Sequence, residues 1–200
     1  MARRHRLILV LFLLVLVVLF SGYDYSVSYN TEKKVLIAYP VIDNTTSEVI
    51  DYYVNYLEDS MSRLEYRICS RHYLDLELEK DSLKRGNDIS KEKIINAAKK
   101  VGADIVILTK INKYKAHKTV KPGMAVVEPY TLNSQVIDTV SIETEFIDPK
   151  NGNTVFNSKR EKSQKNRFFG LFISKKYLLH KTLRDCLGET LYLAKKEEVI

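Results

Sequence analysis

The chain has 200 residues, 45% of them hydrophobic, and 32 Lys and Arg against 25 Asp and Glu give it a net charge of +7 and a pI near 9.2. Its only cysteines are Cys69 and Cys186, which excludes a disulfide framework and a cysteine-based metal centre; two buried thiols are expected, with a Cys69–Cys186 bridge as the alternative. Setting aside the N-terminal leader described next leaves about 170 residues, enough for one domain with a real core and too few for two.

Arg3, Arg4, His5 and Arg6 precede an unbroken apolar run over residues 7–20, followed by Ser21-Gly22-Tyr23. As a helix the run is roughly 21 Å long at about 1.5 Å per residue, short of the ~30 Å hydrocarbon core, and fits a secretory signal better than a full span. The preceding basic residues hold the N-terminus on the cytoplasmic side and send Asp24 onward across. Residues 30–200 are therefore expected in the cell envelope on the extracytoplasmic side, with membrane contact through residues 7–20. Export removes nucleic acid as a partner and leaves anionic lipid, cell-wall polymer or an acidic protein face to the excess positive charge. Leu19-Phe20-Ser21-Gly22 resembles the approach to a bacterial lipoprotein processing site, yet Tyr23 stands where the lipid-bearing cysteine would. Two outcomes stay open: cleavage after Ser21 or Gly22, giving a periplasmic or secreted product, or retention of residues 1–29 as an anchor helped by interfacial Tyr23 and Tyr25.

Beyond residue 30, strands and helices alternate. Val35-Leu36-Ile37-Ala38, closed by Pro40, is continuously apolar and suits a strand covered on both faces. Thr45 with Glu48 makes a capping box, and Ile50, Tyr53, Val54, Leu57, Met61 and Leu64 recur at helical spacing. Tyr66 to Cys69 reads as a short second strand, and residues 73–83 read as helix on residue type despite alternating leucines. Ser90 caps a helix carrying Ile94, Ala97, Ala98 and Val101, stopped by Gly102. Ile105-Val106-Ile107-Leu108 is again continuously apolar, and is expected parallel to the first strand in the sheet centre.

The pattern then changes. Val136, Val140, Ile142, Thr144 and Phe146 alternate with wetter neighbours, as in an antiparallel strand, and Asp148 to Gly152 turn the chain into a hairpin partner over residues 153–159. A final helix from about Ser174 puts Leu179, Leu183, Cys186, Leu187, Thr190, Leu191 and Ala194 on one face. The expected fold is α/β (α+β): a single mixed five-stranded sheet with a parallel central pair and an antiparallel hairpin, packed by three main helices.

This order resembles the TolB amino-terminal domain and its relatives, the lipoprotein activators of penicillin-binding proteins and the curli-secretion lipoprotein family. Residues 34–40 (KVLIAYP) stand where that superfamily has its opening strand, Gly102-Ala103-Asp104 with the strand that follows resembles its Gly-Ala-Asp strand, and residues 146–155 (FIDPKNGNTV) resemble its Asp-x-x-x-Gly hairpin. The likeness spans roughly residues 33–195. These motifs end a helix and make a turn, so they speak for fold more than for function.

Two segments, residues 115–135 and 161–176, are longer than such a domain needs and are expected as surface segments, both candidates for interaction, with plain surface loops as the alternative. The second holds Arg167, Phe168, Phe169, Leu171, Phe172 and Ile173 between lysines and supplies the residues of the candidate interaction surface. Tucked aromatics, a basic-aromatic membrane contact and a protein-partner patch all remain open for it. No catalytic, metal or cofactor set is recognisable: His5, His72, His117 and His180 lie in unrelated contexts, without a two-His helical pair or a nucleophile motif. Asp43 and Asn44 end the first strand, where open sheets place ligand sites, although helix capping accounts for them; Glu143 and Glu145 share a strand face and read as its solvent side. The resemblance and the leader together imply a non-catalytic envelope accessory protein that binds another envelope component. The alternatives are a subunit of a secretion or transport assembly, with oligomerisation, and an extracytoplasmic hydrolase of unrecognised type.

Overall fold

A computed structural model of the chain describes residues 33–42, 47–120, 134–166 and 174–200. The leader run 7–20, Asp43, Asn44 and the whole candidate surface 167–173 lie outside the described residues. Within them the elements are β1 Lys34–Ile37, β2 Val41–Ile42, α1 Ser47–Arg63, β3 Arg67–Ile68, α2 His72–Lys80, α3 Lys91–Val101, β4 Ile105–Val120, β5 Ser134–Ile147, β6 Thr154–Asn166 and α4 Lys175–Lys196. They build one six-stranded sheet in the order β3-β1-β4-β5-β6, with β2 on β4 further along.

The parallel centre forms as its residue types dictate. β1 runs parallel to β3 and to β4, with Val35 opposite Ile105 and Ile37 opposite Ile107. Val35 and Ile37 point into a core under α1 and α4, while Leu36 and Ala38 point into a second core with Leu74, Ile94, Ala97 and Ala98. These four side chains, three of β1 and Ala38 just after it, are at most 1% exposed, so the continuous apolar run is a strand with helices on both faces. α1 buries Ile50, Tyr53, Val54, Leu57 and Met61. The Tyr53 hydroxyl donates to Thr109 Oγ1 at 2.8 Å and Thr109 meets Thr144 Oγ1 at 3.0 Å, so this buried polar chain is internally satisfied. α4 buries Leu178, Leu179, Thr182, Leu183, Cys186, Leu187, Thr190, Leu191 and Ala194, the stripe its spacing predicts.

The sheet has six strands where five were expected, because pairing stops at Pro40, which has no N–H to give, and resumes at Val41 opposite Lys110. A second correction concerns length. Residues 115–120 and 161–166, expected in the two surface segments beyond the strands, are strand: β4 pairs β5 from Val106–Ile147 out to Val120–Ser134, and β5 pairs β6 as far as Val136–Asn166. Their alternation is disguised because inward positions of β6 are polar and paired to α4, Lys162 with Glu189 at 2.6 Å and Gln164 with Asp185 at 3.1 Å. The turn between β5 and β6 is as read: Gly152 holds φ +76° and its N–H donates to the Asp148 carbonyl at 2.8 Å, a backbone conformation that favours glycine.

Cys69 and Cys186 are free and buried. They belong to the cores on opposite faces of the sheet, which rules out the alternative of a bridge between them. Among the described residues no helix is long and apolar enough to cross a membrane.

Candidate functional site

β1 and β3 are neighbouring parallel strands whose next helices lie on different faces: the helix that follows β1 and β2 is α1 on one face of the sheet, and the helix that follows β3 is α2 on the other. Such parting opens a crevice at the carboxyl ends of the strands. Here it is a cleft of about 590 Å³. β1 contributes Tyr39 and β3 leads into Cys69, Ser70 and Arg71; α1 lends Asp51 and Glu58, α2 His72 and Asp75, and the α2–α3 connection Arg85.

Tyr39 is the hub. Its hydroxyl donates to Asp75 Oδ1 at 2.9 Å, and the guanidinium carbons of Arg71 and Arg85 lie 5.7 and 4.8 Å from its ring centroid, within cation–π range. Arg85 also donates to both Asp75 oxygens, at 3.2 and 3.3 Å, and Arg71 to Glu58 Oε1 at 2.5 Å. Burial first, and then the Asp75 hydrogen bond, push the Tyr39 phenol above its ordinary pKa, so it stays a neutral donor at physiological pH. Burial likewise raises the Cys69 thiol, which keeps it from being a thiolate nucleophile. Gly86 sets Arg85 in place: its φ is +96°, a Cβ there would meet Ile50 Cδ1 at 2.9 Å, and its carbonyl accepts from Ile42 N at 3.0 Å. The loop thus presses onto α1 and β2 with a backbone that favours glycine, delivering the preceding arginine to the cleft.

Chemically the centre of the cleft is two arginine–carboxylate pairs around one aromatic ring, with Asp51 and His72 beside them. The carboxylates of Glu58 and Asp75 each have an arginine in place, and burial favours the Cys69 thiol over its thiolate. Its lining is mainly polar, unlike the apolar concavity typical of small-molecule sites. A Tyr with two Arg side chains, partly exposed, has the composition of a protein-binding hot spot.

The sequence-predicted residues fall elsewhere. Arg167, Phe168, Phe169, Leu171, Phe172, Ile173, Asp43, Asn44 and His5 lie outside the described residues. His72 lines the cleft as an exposed side chain, and His117 sits on an open sheet face. His180 stacks on Tyr52, centroids 4.1 Å apart at 15°, and burial, then the charge of Lys176, holds its pKa below the ordinary value. Glu143 and Glu145 share a face of β5 but part company: Glu145 accepts from Lys91 at 2.9 Å, which lowers its pKa, whereas Glu143 lies further out along the strand. Tyr39, Arg71, Asp75 and Arg85 went unrecognised; the available signal was that Tyr39 and Ser70-Arg71-His72 each directly follow a segment read as strand.

No protein-family model and no curated protein matches the chain. Among solved structures it is similar to lipoprotein GNA1162 from Neisseria meningitidis, at 13% identity over 78% of this chain and 96% of that one, with a TM-score of 0.48. It is also similar to the LpoB C-terminal domain from Escherichia coli, at 13% identity over 66% and 84% with a TM-score of 0.39. A third is the PelC dodecamer from Paraburkholderia phytofirmans, at 13% identity over 80% and 86% with a TM-score of 0.42. At such identities and scores no partner, activity or assembly state passes from them to this chain.

Proposed function

We propose that residues 30–200 form the extracytoplasmic domain of a cell-envelope accessory protein that carries out no chemistry itself and binds another envelope protein at the β1/β3 cleft. Location rests on the leader, with its basic start and short apolar run. Binding rests on one observation: Tyr39, Arg71 and Arg85 stand together in a polar cleft, with both arginines engaged by the carboxylates of Glu58 and Asp75. An arrangement of paired charges around an aromatic supplies specificity on docking, because a partner must offer groups that replace or extend each pair.

The test is capture of a partner from intact envelopes by the full chain, compared with Arg85→Glu. Arg85 is 55% exposed at its side chain, so the change should leave the melting temperature within a few degrees while placing a carboxylate against Asp75. Loss of capture by about tenfold or more is expected, with Lys99→Glu, at the end of α3, retaining it. Equal capture by both variants would overturn the cleft as the site. A reporter fused after Ile200 that works only in the cytoplasm would overturn the location.

A further inference from the structure

The outer half of the sheet has one covered face and one bare one. Ile142, Val140 and Phe146 of β5 face the core under α4, so Glu143, Ser141, Thr139 and Ile137 face the other way. Cross-strand register extends this bare face into four rows: Lys110, Glu143 and Lys159; Lys113, Ser141 and Glu161; Lys115, Thr139 and Ser163; His117, Ile137 and Lys165. α3 reaches only as far as Glu145 and Thr154, through Lys91, and no described helix lies over the rows beyond. Five lysines against two glutamates leave this face at +3, out of +7 for the whole chain.

The charges are arranged. All five lysines stand on the flanking strands β4 and β6, about 9.6 Å apart, and the central strand between them carries hydroxyls, with successive rows about 6.8 Å apart. The result is a trough with ammonium walls and a floor of Ser141 and Thr139, Thr139 donating to Ser163 at 3.2 Å. One bar crosses it: Lys113 pairs with Glu161 at 2.8 Å over Ser141, which is 2% exposed. That pair is half-exposed at both ends and weak. Lys110, Lys115, Lys159 and Lys165 have no ion-pair partner among the described residues. On the opposite face the comparable Lys162 is paired to Glu189 of α4.

We propose that this trough binds a linear phosphodiester polymer of the cell envelope, of the polyol-phosphate type, lying along β5. Charge complementarity and shape select the occupant. The cations are all lysines, point charges suited to phosphate, with no arginine fork for planar carboxylates. The only apolar side chains on these rows, Ile137 and Val41 of β2 beside Lys110, are both half-buried, whereas a bilayer surface is held by inserted apolar groups. A repeating chain of single negative charges meets at least one lysine at every row and one on each side at the first, its phosphate oxygens accepting from Ser163, whose hydroxyl in turn accepts from Thr139, and displaces Glu161 from Lys113. The site is separate from the β1/β3 cleft and does not depend on it.

Fluorescence anisotropy with labelled poly(glycerol phosphate) and the full chain in detergent tests this. Lys115→Glu/Lys159→Glu/Lys165→Glu should weaken binding by more than tenfold at low ionic strength. The uncharged Lys115→Ser/Lys159→Ser/Lys165→Ser should flatten the log affinity against log salt by about 2, and Glu161→Gln should tighten binding. A control of equal charge change, Lys99→Glu/Lys195→Glu/Lys196→Glu, should bind as the unaltered chain does. All these positions are exposed, and unchanged melting temperatures verify the fold. The proposal is overturned if the control loses as much as the trough variant, if orthophosphate competes as well as the polymer per phosphate, if vesicles of phosphatidylglycerol bind more tightly than the polymer through the same lysines, or if the polymer does not bind.

Discussion

The two halves of the sheet solve opposite problems. In the parallel half, β3, β1 and the start of β4 are sandwiched between α1 and α4 on one side and α2 and α3 on the other, so every side chain from Val35 to Ala38 is apolar. In the antiparallel half, the long β4–β5–β6 hairpins have α4 on one face and a bare face of lysines and hydroxyls. Coverage thus decides what each half can offer. A doubly covered sheet has only its strand ends free, and there the β1/β3 cleft forms; a singly covered sheet has a whole face free, and the charge is displayed there.

The largest expected effect separates the faces of one strand region. Phe146 is fully buried and meets Phe156 edge-on, centroids 5.4 Å apart at 82°; Phe146→Ala should cost about 3–5 kcal/mol in chemical denaturation, whereas Lys159→Ala on the bare face should stay within about 0.5 kcal/mol. Similar costs for the two would erase the distinction between covered and bare faces. Next, Thr182 of α4 donates to Asp138 of β5, both fully buried. Thr182→Val removes a donor from a buried carboxylate and should cost about 1–3 kcal/mol; a neutral outcome would mean that α4 is held to the hairpins by apolar contact alone.

A smaller effect depends on pH. His180 has a lowered folded pKa, through burial and then Lys176, so the folded state favours the neutral ring. Its contribution to stability is full above the ordinary value of about 6.5 and is lost as pH falls from there through the lowered folded value. The melting temperature should therefore drop over that window, and His180→Gln should flatten the drop. An unaltered slope in the variant would assign the acid sensitivity elsewhere.

Legibility in the sequence follows the same division. The doubly covered strands announce themselves as Val35-Leu36-Ile37-Ala38 and Ile105-Val106-Ile107, and the last helix by a stripe of leucines, because dense apolar burial leaves a pattern. The outer strands hide, since Lys162 and Gln164 fill inward positions and bond to Glu189 and Asp185 instead of packing. Cleft residues hide for another reason. Tyr39, Glu58, the helical-turn pair Arg71 and Asp75, and Arg85 come from four separate segments, and the parting of the helices after β1 and β3 brings them together.

The account stands most directly on which half meets a protein. A photoreactive residue placed at exposed His72, on the rim of the cleft, and in a second strain at exposed Ser163, on the bare face, can be activated in intact cells carrying the full chain. The account predicts a discrete protein adduct from position 72, absent when Arg85→Glu is added, and none from position 163. A protein adduct from position 163 alone, or an adduct from position 72 indifferent to Arg85, would contradict it.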